Sequence, residues 1–119
     1  MLKNQSLGKF GEDLAKKYLL KNGYKIIANN IKSSYQEIDI LAYFKGIYVF
    51  VEVKTRSSDI FGKAEESLNS KKNNNLKKAI MQYININKID PNNVRLDLIA
   101  INLSIDKKIA NIKHFKDIF

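Results

Sequence analysis

The sequence contains no cysteine and a single histidine, His114. The first absence excludes disulfides and thiolate metal sites. The second argues against a histidine-built zinc centre or a histidine nucleophile, and leaves His114 a structural role. No apolar run is long enough to cross a bilayer, so no membrane partner is expected. Residues 1–20 lack the charged-then-apolar layout and the small-residue cleavage site of a signal peptide, so a cytoplasmic protein is expected. Acidic residues are also scarce, with 12 Asp and Glu against 21 Lys and Arg and a net charge of +9. Such an excess favours a polyanionic partner, nucleic acid first and an anionic membrane surface second. The plainer source of the charge is a lysine-rich composition, since Asn and Ile are frequent as well.

The chain has 119 residues, a length that suits one domain over residues 1–119 around one core. Leu7, Phe10, Gly11, Leu14, Ala15, Tyr18 and Leu19 fall on one helical face behind a capping Ser6, and Gly23 closes that helix. Glu12 lies at the flank of the stripe, between its apolar and wet sides. Strands are expected at 24–32, 35–44 and 47–55, the last two joined by Lys45-Gly46 as a hairpin. Residues 56–63 read as a loop, and a second helix runs from Ala64 or Ser70 to Asn87 with Leu76, Ala79, Ile80, Tyr83 and Ile84 inward. After a turn at Asp90-Pro91-Asn92-Asn93, residues 94–103 form a strand apolar on both faces from Leu98 on, and 107–119 a last strand or short helix. The order is α-β-β-β-α-β plus one element. It is an α/β fold with a mixed sheet flanked by helices, in which the third and fourth strands run parallel.

The charges in VFVEVKTR (49–56) need a reason, because Glu52 and Lys54 share a strand face with Phe50. A two-residue turn at Lys45-Gly46 pairs Phe44 with Ile47, sets Asp39 opposite Glu52 and Glu37 opposite Lys54, and gathers Ile38, Ile40 and Ala42 with Val49, Val51 and Val53 on the other face. Like charges directly opposite repel. A shared proton, a nearby lysine or a divalent cation can offset this, and carboxylates with water suit Mg²⁺ or Mn²⁺. Glu12 adds a third carboxylate if its helix packs over the hairpin. The plainer reading is a solvated hairpin face with a Glu37–Lys54 ion pair.

These residues resemble the signature of the PD-(D/E)xK nuclease superfamily, an acidic residue followed on the next strand by (D/E)-x-K. Asp39 with Glu52-Val53-Lys54 matches it, at the spacing of archaeal Holliday junction resolvases. Over nearly the whole chain the sequence is similar to the YraN family of bacterial proteins, through GKFGEDLAKKYLLKNGYKII, EIDILA, VFVEVKTR, Ser70-Lys71, Arg95-Leu96-Asp97 and HFKDIF. That family usually carries Gly where this chain has Gln36, a difference that bears on how openly the site is approached.

The resemblance implies a restriction-endonuclease-like α-β-β-β-α-β core and a nucleic-acid partner, DNA before RNA. The reaction expected is metal-dependent phosphodiester hydrolysis, on branched or structured DNA. Asp39, Glu52 and Lys54 are then catalytic. Asp39, Glu52 and Glu12 hold Mg²⁺ or Mn²⁺, and Lys54 orients or deprotonates the attacking water. Glu37 either holds Lys54 or joins the metal shell, the former preferred because it lies opposite Lys54. The alternative is a non-catalytic nucleic-acid-binding module, which would be expected to lose one of Asp39, Glu52 and Lys54. Junction resolvases are dimers, so a homodimer is compatible with the resemblance. Thr55 and Arg56 suit phosphate contacts or an ordinary exit into a loop. Lys71 and Lys72, with Lys77 and Lys78, suit a backbone-tracking patch or a solvated helix face. Tyr35, Tyr43, Tyr48 and Phe61 suit base stacking or, more simply, packing.

Overall fold

The computed structural model describes residues 4–57, 70–104, 106 and 108–118. Helix α1 spans Asn4–Lys21, strands β1, β2 and β3 span Lys25–Ile31, Ile38–Phe44 and Ile47–Arg56, and helix α2 spans Ser70–Ile86. A 3-10 turn at Pro91–Asn93 leads into β4 at Val94–Ser104, followed by β5 at Ile109–Phe115. The sheet order is β1-β2-β3-β4-β5, antiparallel except for the parallel β3/β4 pair. The α/β fold, the mixed sheet and the parallel crossover therefore match expectation. The last element is a strand, and α2 starts at Ser70, the later of the two starts considered. Ser6 lies inside α1 rather than ahead of it.

Each helix covers one face of the sheet. Ala15 and Leu19 of α1 pack with Ile40, Ala42, Val49, Val51, Ile99 and Ile101, while Leu76, Ala79, Ile80 and Ile84 of α2 pack with Leu41, Phe50 and Leu96. The hairpin sets this partition. Lys45 and Gly46 both have positive φ, 49° and 84°, the conformation of a two-residue type I′ turn. It fixes the pairs Phe44↔Ile47, Tyr43↔Tyr48, Ala42↔Val49, Leu41↔Phe50 and Ile40↔Val51.

Two features depart from the sequence reading. Strand β2 begins at Ile38, not at Tyr35. The Ser33 hydroxyl accepts from the backbone N–H of Tyr35 at 3.1 Å and of Gln36 at 3.0 Å, and donates to the Gln36 carbonyl at 2.7 Å. A hydroxyl that captures local backbone groups offers an alternative to the ladder, and here it turns residues 33–36 out of the sheet. Ile38 also leaves the face of Ile40 and Ala42 and joins the core under α2. Among the described residues, no helix is long and apolar enough to cross a membrane.

Candidate functional site

The site begins where two strands part. β2 stays with β1 as far as Ile31↔Ile38, but its ladder with β3 stops at Ile40↔Val51. In a hairpin closed by a two-residue turn, Ile40 and Val51 form a hydrogen-bonded pair, so the next inward donor on β3 is the Val53 N–H. It donates to Asp39 Oδ2 at 2.8 Å. A carboxylate thus takes the place of a backbone carbonyl at the fork.

Glu52, only 3 % exposed, lies against Asp39 and shares a hydrogen bond with it. Gln36 Nε2 donates to Glu52 Oε2 at 3.1 Å, and Lys54 Nζ stands 3.9 Å from the same oxygen. Burial pushes the Asp39 carboxyl up to about 8, helped by the hydrogen bond and like charge of Glu52, against the opposing Val53 N–H and Lys54. Without metal, the Asp39 carboxyl is therefore mostly protonated at neutral pH.

Helix α1 supplies Glu12 through a close approach. A Cβ placed on Gly11 would stand 1.8 Å from Thr55 Oγ1, so only glycine lets the helix press this tightly onto β3. The next residue, Glu12, is then carried to the fork. Its carboxyl titrates above its ordinary value, chiefly by burial, with Asp39 and Glu37 adding like charge. Asn30, in the left-handed region at φ 51°, donates through Nδ2 to Glu12 Oε1 and to Glu37 Oε1, each at 3.0 Å. Glu37 also takes the Lys32 ammonium, and that bond, with Asn30's, holds it below the usual carboxylate range. One oxygen each from Glu12, Glu37 and Asp39 fall within 4.8 Å of one another.

This convergence differs from the expected set. Glu37 was expected opposite Lys54. The Ser33 turn removes it from the strand, and it instead meets Lys32, Asn30 and the other acids. Glu52, expected among the converging ligands, sits behind Asp39 with Oε2 facing Gln36 and Lys54. Thr55 and Arg56 are strand residues, paired with Ile101 and Asn102 rather than entering a loop. Lys71 and Lys72 belong to the first turn of α2, but their side chains, like the whole of Phe61, lie outside the described residues. Sequence reasoning missed Asn30 and Lys32. The one signal for Asn30 was an Asn-Asn pair inside a strand, where asparagine fits poorly.

A second polar cluster lies on the α1 face of the sheet, across β4 and β5. Asp97 is fully buried and accepts from Arg95 Nε at 2.8 Å (Oδ1) and Arg95 Nη2 at 2.8 Å (Oδ2), and from the Asp117 N–H at 3.0 Å. His114 Nε2 lies 2.6 Å from Asp97 Oδ2, while its Nδ1 meets the Tyr18 hydroxyl at 3.1 Å. Burial alone would raise the Asp97 carboxyl, but the hydrogen bonds from His114, Arg95 and Asp117 hold it below its ordinary value. His114 thus has the structural role that the sequence suggested, and Arg95 pairs with Asp97 two residues on.

The fold and site define a class: an α/β protein with a restriction-endonuclease-like core and a carboxylate cluster where the hairpin forks. The sequence matches the uncharacterised protein family UPF0102 over residues 11–101. A UPF0102 protein of Clostridium perfringens is 41% identical over 116 residues, covering 98% of this chain and 95% of the relative. One from Thermodesulfovibrio yellowstonii is 48% identical over 108 residues (91% and 93% covered), and one from Flavobacterium psychrophilum 41% over 119 (100% and 98%). The chain belongs to the UPF0102 family.

Proposed function

We propose that the chain is a divalent-cation-dependent endonuclease that hydrolyses phosphodiester bonds in DNA. The observation that carries this reading is the partly buried Asp39, bonded to the Val53 N–H where the strands part, with Glu52 against it and Glu12 and Glu37 converging from the other side. Placing carboxylates together away from water costs free energy that a cation offsets. An all-oxygen donor set of this kind suits Mg²⁺ or Mn²⁺. Asp39, Glu12 and Glu37 would hold the ion once Asp39 gives up its proton, with Glu52 against Asp39 to join them. The ion would supply Lewis-acid stabilisation of the phosphate and activation of water.

The chain's own residues do the rest. Glu52 and Gln36 fix one another, so the carboxylate on β3 presents a defined oxygen toward Asp39. Lys54, one pleat further on, lies beside Glu52 as the single cation of the signature. It orients the attacking water and donates to a phosphate oxygen as negative charge builds in the transition state. Asn30 sets the angle between Glu12 and Glu37. The net charge of +9 supports a polyanionic substrate, drawn in by charge and weakened by salt.

The test is hydrolysis of linear, flapped, single-stranded and four-way DNA with Mg²⁺ or Mn²⁺. Cleavage by the wild type that disappears in Glu52→Ala and Lys54→Ala supports the reading, and cleavage that survives both substitutions sinks it. Tight, salt-sensitive binding without cleavage of any substrate would favour the non-catalytic module.

A further inference from the structure

The turn at residues 33–36 reaches two places at once. Its Gln36 side chain bonds Glu52 at the fork, while its Tyr35 side chain lies over the outer surface of α2. There Tyr35 lines a groove of about 510 Å³ with Lys77, Lys78, Met81, Gln82 and Ile86. Tyr35 is 48% exposed, Met81 53% and Ile86 72%. The Lys78 Nζ stands 5.7 Å from the centre of the Tyr35 ring. Packing was the simpler expectation for this tyrosine, yet it contributes to neither buried core cluster. Tyr43 and Tyr48, by contrast, pack edge to face across the hairpin at 5.1 Å.

We infer that this groove is a stacking subsite for an unpaired nucleotide, with the base on Tyr35 and Met81 and the adjoining phosphates on Lys77 and Lys78. The chemistry of the lining selects the occupant. An exposed aromatic ring beside apolar side chains takes a flat base, and ammonium groups beside it take an anion. Helix α2 carries no acidic residue along its length, so nothing on that wall repels a phosphate. A base inside a duplex has both faces covered by its neighbours, so a stacking platform is open only to an unstacked one.

Tyr35 is four residues from Asp39, a contour of at most about 14 Å, so one strand can occupy groove and fork together. The inference rests on the nuclease reading for its meaning, since it makes the enzyme select sites where a base is already unpaired. Binding itself does not require hydrolysis.

The experiment uses the full chain in EDTA, which stops cleavage. Anisotropy titrations compare a single-stranded oligodeoxynucleotide with a duplex of the same sequence. Tyr35→Ala is expected to weaken single-strand binding roughly 5- to 150-fold and to leave the duplex nearly unchanged. Tyr35→Phe is expected to keep the ring and the affinity. Lys78→Ala is expected to weaken both ligands and to lower the salt slope by about 1. Met81→Glu, on the opposite wall, is expected to weaken the single strand without touching the turn.

Equal single-strand affinity in wild type and Tyr35→Ala, or equal loss on both ligands, overturns the inference. So does a dimer of the wild type that dissociates on Tyr35→Ala with DNA binding intact, which would assign the groove to a second copy of the chain. Hydrolysis is scored separately with Mn²⁺. Tyr35-dependent binding without cleavage overturns only the nuclease reading, whereas cleavage with Tyr35-independent binding overturns only this one.

Discussion

Replacing Asp39 by Asn isolates the charge at the centre of the site. Asn keeps an oxygen for the Val53 N–H and resembles the protonated carboxyl in shape, so it should preserve the fork. In the wild type without metal, the Asp39 titration moves from its ordinary 3.8 to about 8. Across that interval the native state binds one proton more than the unfolded chain. Stability is therefore fully present below about pH 4 and falls as pH rises, by at most about 1.4 kcal/mol per pH unit, until the group has ionised near pH 8. The ceiling on the whole loss is roughly 6 kcal/mol, and partial solvent access trims it to on the order of 3 kcal/mol. Urea unfolding in EDTA at pH 5 and pH 8 measures it. The stability of Asp39→Asn minus that of the wild type should increase by about 2 kcal/mol between the two pH values, because part of the loss falls outside that window. Excess Mg²⁺ or Mn²⁺ should restore the wild type at pH 8 and leave the variant unchanged. Parallel pH profiles for the two proteins would refute the raised Asp39 titration and, with it, the reason for a cation.

Other consequences follow from the packing around this centre. Gly11→Ala puts a Cβ against Thr55 Oγ1 and should cost on the order of 2 kcal/mol in chemical denaturation, with partial recovery in the double variant with Thr55→Ala. Asp97→Ala leaves the Arg95 charge unanswered and should cost about 3–5 kcal/mol. In the wild type that contribution is present above the ordinary carboxylate value and is lost as pH falls through the depressed Asp97 titration, which acid unfolding would read. Lys32→Ala removes an exposed partner, so stability should fall by less than about 1 kcal/mol, while the Glu37 carboxyl, followed by NMR, should titrate closer to its ordinary value.

The hairpin was the most legible part of the molecule. Lys45-Gly46 and the alternating valines leave one register in which the apolar residues share a face, and the observed pairs follow it from Phe44↔Ile47 to Ile40↔Val51. The apposition of Asp39 and Glu52 comes from that arithmetic. The register fails as a guide beyond Ile40, because a serine hydroxyl outcompetes the ladder for the backbone of Tyr35 and Gln36. No strand propensity signals this, since Ser33 acts through a local turn while the residues after it still read as a strand. Glu37 therefore went to the wrong partner. Lys32 and Asn30 reach the acids only through the β1/β2 pairing and the left-handed backbone at Asn30, both tertiary facts. The Asp97 cluster was half legible. Arg95 and Asp97 share a strand face at a spacing of two, but His114 and the Asp117 N–H arrive from beyond β4.

The proposed hydrolysis requires a divalent cation seated among the carboxylates at the fork. Anomalous scattering from crystals soaked in Mn²⁺ locates such an ion directly. A peak within ligation distance of Asp39 and at least one of Glu12, Glu37 and Glu52, absent from Asp39→Asn crystals, is the predicted result. An empty fork in well-ordered wild-type crystals at saturating Mn²⁺ with DNA bound, or a peak held only by residues elsewhere, would contradict it.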